Sequence, residues 1–137
     1  RSIAIAFVHA YLYPNHEEMI ASLAKSIGFH QISVSSSLMP MVKLVPRGIT
    51  SVVDAYLTPG IKQYITGFYS QFTSEIQNVP IYFMQSDGGL TPAAEFHGFR
   101  AVLSGPAGGV VGFARTCYEK QILNNVQKPM PVIGFDM

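Results

Sequence analysis

Charge is what this sequence has least of. Asp, Glu, Lys and Arg make up 12% of its 137 residues, where soluble domains run at about 25%, so part of its surface is expected to lie against something other than water. Nine Lys and Arg stand against eight Asp and Glu, a formal net charge of +1. That balance offers no field for a phosphate backbone or an anionic lipid surface, and it excludes nucleic acid and membrane as partners. Cysteine is nearly absent: Cys117 alone closes no internal disulfide, which excludes a disulfide scaffold. Long hydrophobic runs are missing too. The longest, Ile3 to Tyr13, contains His9, ends at Pro14 and falls short of the ~20 apolar residues that span a bilayer. His9, His16, His30 and His97 are isolated, with no zinc-ligand spacing. Gly and Pro are scattered and 48% of the residues are apolar, which excludes collagenous and disordered chains. These residues show no export signal, repeat or low-complexity tract, and none is expected. The length leaves room for one core of the usual ~100–150 residues. The chain opens at Arg1 and closes on Val132-Ile133-Gly134-Phe135-Asp136-Met137, and both ends read as cut rather than finished.

What is present reads as α/β. Ile3 to Val8 is a nearly unbroken apolar run, the pattern of a strand covered on both faces. Met19, Ile20, Leu23, Ala24 and Ile27 then fall at helical spacing, with Glu17 and Glu18 in the first turn, Lys25 in the last and Gly28 at the stop. Gln31 to Ser36 alternates, Ile32 and Val34 against Ser33 and Ser35, which predicts a second strand and hence a βαβ unit. Met39 to Gly48 carries two prolines and reads as an extended connector. From Ser51 to Ile76 the apolar positions keep a 3.6-residue period, with Ser51 and Asp54 spaced as a capping box and Thr58-Pro59-Gly60 predicting a kink or restart capped by Thr58. Val79 to Gln85 predicts a third strand, ended by Ser86-Asp87-Gly88-Gly89. Ser104 to Gly109 reads as a glycine-rich loop opening a helix from Val110 to Cys117, and Val132 to Asp136 as the start of a last strand.

Three features point to chemistry, each with a plain structural alternative. A glycine-rich turn before a helix exposes free N–H groups to phosphate or carboxylate, although Ser104 to Gly109 lacks the lysine of a P-loop and serves close packing equally well. Asp87 beside Gly88 and Gly89 either contacts a ligand or caps its own backbone. Asp136, past an apolar strand, is the better candidate for an acid that positions Mg²⁺ or water. His9 reads as a buried, backbone-bonded histidine, Cys117 as an inert packed thiol, and Ser35-Ser36-Ser37 as a polar strand end.

At Met39 to Leu57 (MPMVKLVPRGITSVVDAYL), Met84 to Leu90 (MQSDGGL), Ala101 to Gly112 (AVLSGPAGGVVG) and Val132 to Met137 (VIGFDM), the chain resembles the hydantoinase A / 5-oxoprolinase family, closest to its eukaryotic-type members. Four motifs in the family's order span nearly the whole chain. The resemblance implies an actin-like or sugar-kinase-like ATPase fold. Residues 1–48 would close the N-terminal hydantoinase/oxoprolinase region and residues 49–137 would begin the hydantoinase A region. It also implies ATP-driven opening of 5-oxo-L-proline to L-glutamate, with ATP, Mg²⁺ and a monovalent cation (K⁺) as cofactors. A cytosolic enzyme of glutathione metabolism is implied, homodimeric when full length and partnered here by the rest of its own chain. By that resemblance Asp136 stands near Mg²⁺ or phosphate, Gly105, Gly108 and Gly109 line the nucleotide cleft, and Asp87, Gly88 and Gly89 are secondary candidates. Arg47 and Arg100 are open to a carboxylate or to plain structural roles. One departure is Ser37, where the family usually has Glu. The phosphate loops expected of the family lie outside these residues, so the fragment alone is expected to be inactive. A hydantoinase or N-methylhydantoinase of the same family, or a non-catalytic assembly segment, are the alternatives.

Overall fold

The computed structural model describes residues 1–73, 79–124 and 127–135, and the chain forms two compact units. The first comprises residues 1–79 and 97–99, the second residues 80–96 and 100–137.

The first unit holds the expected βαβ: β1 (Ser2–Ile5), α1 (Asn15–Ser26) and β2 (Gln31–Val34). β1 and β2 pair in parallel, with Ser2 opposite Gln31 and Ile5 opposite Val34. α1 ends where the sequence says it should. Gly28 takes φ +92°, its N–H reaches the Lys25 carbonyl and the Phe29 N–H reaches that of Ala24, a Schellman closure that satisfies two terminal carbonyls.

Both strands are shorter than the apolar runs that announce them. After Ile5 the chain leaves the sheet and turns through His9, which is exposed and left-handed (φ 61°) rather than buried. After Val34 it winds directly into α2 (Ser35–Leu38), so Ser35 and Ser36 are helical and not a strand end. The alternation in β2 is real, and its polar positions face inward: Gln31 and Ser33 are buried while Ile32 and Val34 are not.

α3 (Leu44–Tyr69) explains why the polar face is the buried one. It begins inside the stretch expected to be an extended connector, because Pro46 falls in the first turn, where the missing N–H has no intrahelical partner to lose. It runs uninterrupted through Pro59. Thr58 is therefore mid-helix, and so are Ser51 and Asp54, which cap nothing. Arg47, Ser51, Asp54 and Thr58, spaced four, three and four apart, share one face, and all are buried. Val45, Ile49, Val52 and Tyr56 carry the same spacing on another face and are exposed, Tyr56 by 82%. The helix turns its polar stripe inward and its apolar one outward. An apolar groove lined by Ala4, Ala6, Val45, Ile49 and Val52 runs beside it.

The second unit starts with an antiparallel hairpin, β3 (Tyr82–Met84) and β4 (Leu90–Pro92), in register at Phe83 and Thr91. The strand expected from Val79 is thus trimmed to three residues, and the Ser86 to Gly89 segment is its turn. A 3₁₀ turn (Ala93–Glu95) and a short helix, α4 (Gly98–Ala101), lead to α5 (Ser104–Phe113). The glycines expected to form a loop are helical, and Pro106 sits in the first turn as anticipated. A π-turn (Ala114–Tyr118) follows and leaves Cys117 exposed rather than packed. α6 (Glu119–Leu123) ends the regular structure, and residues 131–135 form no strand. No helix among the described residues is long and apolar enough to cross a membrane.

Candidate functional site

The interior of the first unit is a hydrogen-bonded polar cluster. Glu17, in the first turn of α1, and Arg47, in the second turn of α3, are both fully buried and 3.4 Å apart. Glu17 Oε1 also accepts the Phe7 N–H (2.7 Å) and the Ser35 hydroxyl (2.6 Å), and its Oε2 accepts the Ser36 N–H (2.9 Å). Arg47 Nη2 donates to the Phe7 carbonyl (2.7 Å), and Nη1 donates to Ser35 Oγ. Phe7 is therefore held by both its backbone groups, one on each member of the ion pair. Arg47 Nε is buried and has no hydrogen-bond partner among the described residues.

Burial pushes the Glu17 carboxyl up, but the hydrogen bonds from Ser35, Ser36 and Phe7 outweigh it and hold the group below the ordinary carboxylate range. Over the acid window the unfolded chain then binds more protons than the folded one, so stability rises with pH there. The stabilisation is complete above the unfolded value of about 4.3 and is lost as pH falls through the lower folded value. Acidification through the folded value is expected to loosen α1 and α2, and Glu17→Gln to flatten that part of the profile. Amide exchange at Phe7 and Ser36 against pH checks both, and an unchanged slope in the variant counts against the assignment.

A second branch of the cluster centres on Asp54. Its Oδ2 accepts the Ser33 hydroxyl (2.6 Å) and its Oδ1 that of Thr58 (2.8 Å), while His97 Nδ1 lies 3.6 Å from Oδ1. Gln31 Nε2 donates to Ser33 Oγ (3.1 Å), and Lys62 Nζ donates to Gln31 Oε1 (3.0 Å). The Gly98 N–H donates to Thr58 Oγ1 at 2.9 Å. These serine, threonine and acid positions were not singled out from the sequence as site residues. The signal was there in the four-three-four spacing from Arg47 to Thr58, hidden by the apolar stripe of equal period beside it.

In the second unit the structure brings the two glycine motifs together. Gly88 takes φ +82°, and a Cβ there would lie 3.0 Å from Val111 on α5. Gly108, also on α5, faces Met84 of β3, with 3.6 Å between a Cβ and the Met84 Cγ. Asp87 Oδ1 accepts the Gly89 N–H (2.9 Å), which makes it the cap of its own turn, and Oδ2 lies 3.6 Å from Arg100 Nη1. Ser86 Oγ donates to the Arg100 carbonyl (2.6 Å) and accepts the Leu103 N–H (3.0 Å), tying the turn to the start of α5. Gly105 opens on empty space, and Gly109 is half-buried on the same helix. Among the described residues no side chain caps the α5 N-terminus. Asp136 lies outside the described residues. Among the described residues no group of three or more His, Cys, Asp or Glu could hold a metal ion. Arg47 does meet a carboxylate, the internal one of Glu17, while Arg100 is partly exposed and bonds Gln85 Oε1 at 2.6 Å.

Comparison with known proteins identifies the family. The chain is 52% identical over its whole length to a 5-oxoprolinase of Dictyostelium discoideum, of which it covers 11%. It is 50% identical over 98% of its length to 5-oxoprolinase 1 of Arabidopsis thaliana, of which it covers 10%. It thus spans about a tenth of the length of these relatives. Among solved structures it matches the crystal structure of an ATP-dependent caprolactamase from Pseudomonas jessenii, with a TM-score of 0.73 and 27% identity, covering 89% of this chain and 18% of that one. The profile of the Hydantoinase/oxoprolinase family matches residues 47–137, from the buried arginine of α3 through the hairpin turn and the glycine helix, and the chain belongs to that family.

Proposed function

We propose that this chain is part of an ATP-dependent 5-oxoprolinase, which opens 5-oxo-L-proline to L-glutamate while ATP becomes ADP and phosphate. The observation that carries the reading is the identity of 52% and 50%, over 100% and 98% of the chain, to 5-oxoprolinases of Dictyostelium and Arabidopsis. Phosphorylation of the lactam oxygen would turn an unreactive amide into an electrophile that water attacks, chemistry that depends on positioning and charge stabilisation.

In this reading Gly105, Gly108 and Gly109 line the nucleotide cleft, with Asp87, Gly88 and Gly89 beside them. The uncapped N-terminus of α5, with Pro106 behind it and no Cβ at Gly105, suits an approaching phosphate. Mg²⁺ keeps much of its water and takes one or two carboxylates alongside phosphate oxygens, so Asp136 would be this chain's ligand to it. An actin-like or sugar-kinase-like fold, a monovalent cation such as K⁺, a place in glutathione metabolism in the cytosol and a homodimer belong to the same proposal. So does the assignment of residues 1–48 to the end of the N-terminal region and of 49–137 to the start of the hydantoinase A region. The family match beginning at residue 47 supports that boundary; it falls within α3 and divides sequence regions, not folded bodies.

The matched caprolactamase structure is of an ATP-dependent enzyme named for a different lactam, which makes ring identity the point to test. The intact polypeptide carrying this chain is expected to release phosphate from ATP in step with ring opening on 5-oxo-L-proline, and much more slowly on hydantoin or caprolactam. Preference for hydantoin would replace the oxoprolinase reading with a hydantoinase, and no turnover on any ring would overturn it.

A further inference from the structure

β1 and β2 run parallel, so the segment after Ile5 and the helix after Val34 emerge at the same, C-terminal end of the pair. In open α/β sheets ligands bind outside that end. The β1–α1 loop there is built of rings: Phe7, His9, Tyr11 and Tyr13, with Tyr13 packed edge-on against His16 at a centroid distance of 5.1 Å. His9 is exposed and its backbone is left-handed, a conformation that glycine adopts without strain and a side chain does not. The conformation is over-determined by its surroundings. The His9 carbonyl accepts the N–H groups of Leu12 (2.9 Å) and Tyr13 (3.1 Å), Ala10 is buried behind it, and Phe7 is gripped on both sides by Glu17 and Arg47. A buried ion pair that holds a loop's backbone, and an imidazole that the left-handed backbone of that loop presents to solvent, together describe a contact held in readiness.

We infer that the β1–α1 loop is a wall of the lactam site, with the His9 imidazole contacting the carboxylate of the ring acid and Glu17 and Arg47 acting as positioning residues for it. The inference rests on the 5-oxoprolinase reading and adds the recognition element for the acid. Neither Arg47 nor Glu17 reaches a ligand, because both are fully buried and each is bonded to Phe7. Their effect on the site passes through the loop.

His9→Asn tests it in the intact polypeptide, since Asn tolerates the left-handed region and removes only the imidazole. The expected result is a KM for 5-oxo-L-proline raised on the order of tenfold, the loss of one charge-assisted hydrogen bond, with a much smaller change in kcat, in the KM for ATP and in the thermal midpoint. Calorimetric titration should show the same weakening for 5-oxo-L-proline and none for 2-pyrrolidinone, the same ring without its carboxylate. Arg47→Lys, which keeps the charge but not the two-pronged grip, should raise the same KM and spare that for ATP. Equal weakening of both ligands by His9→Asn, or no weakening of the acid, overturns the inference while a wild type that opens the ring leaves the functional reading standing. A wild type that neither binds nor opens the acid overturns both.

Discussion

Replacing Arg47 by Met is expected to destabilise the body formed by α1, β2 and α3 by about 3–5 kcal/mol, the range for breaking a buried pair from one side. The substitution roughly preserves volume, so cavity formation is a small part of the loss. Most of it comes from Glu17, which stays buried with its carboxylate still accepting from Phe7, Ser35 and Ser36 but without a countercharge. Native-state exchange at the Phe7 and Ser36 amides should speed up by about two to four decades. Adding Glu17→Met removes the stranded charge, yet full recovery is not expected. The Met sulfur is only a weak acceptor and cannot replace two carboxylate oxygens, so the Phe7 and Ser36 N–H groups and the Ser35 hydroxyl lose the partner that satisfies them. If the single variant exchanges like the wild type, the pair is not what holds these elements together.

How much of this was legible depends on what periodicity encodes. It identifies a face but not which way the face points. In β2 the alternation of Ile32 and Val34 with Gln31 and Ser33 is plain, but it does not say which set is buried, and the structure buries the polar one. α3 presents the same ambiguity twice over, since the stripe through Val45, Ile49, Val52 and Tyr56 and the stripe through Arg47, Ser51, Asp54 and Thr58 have identical spacing. Only the partner decides between them, and the partner of Asp54 is Ser33, 21 residues away in sequence. Local chemistry with a local partner was readable: the close of α1 at Gly28, the turn at Asp87 and Gly88, and the place of Pro106. Where tertiary packing overrides propensity it was not readable. Gly108 and Gly109 are each disfavoured in a helix by about 1 kcal/mol, and α5 incorporates both while packing on β3.

One substitution made at two glycines should give opposite results, and the contrast separates packing from ligand approach. At Gly98→Ala the new Cβ would stand 2.6 Å from the Thr58 backbone nitrogen, 2.7 Å from Leu57 Cβ and 2.9 Å from Thr58 Oγ1. The nearest of these atoms belongs to the α3 backbone, so no rotamer change relieves the clash, and overpacking of this kind costs about 1–3 kcal/mol. The shift would also pull the Gly98 N–H from Thr58 Oγ1 and, through the Thr58 hydroxyl, take a donor from the buried Asp54 carboxylate. Exchange of α3 amides around Thr58 should rise by one to two decades on that estimate. At Gly105→Ala the Cβ meets nothing within 4 Å, and the gain in helix propensity is up to about 1 kcal/mol, so α5 should exchange more slowly. Slower exchange of α5 together with a raised KM for ATP in the intact polypeptide means that the empty space over Gly105 is where phosphate approaches. A stabilised helix with unchanged ATP affinity would remove Gly105 from the nucleotide site and leave it a residue whose missing side chain serves only the chain's own path.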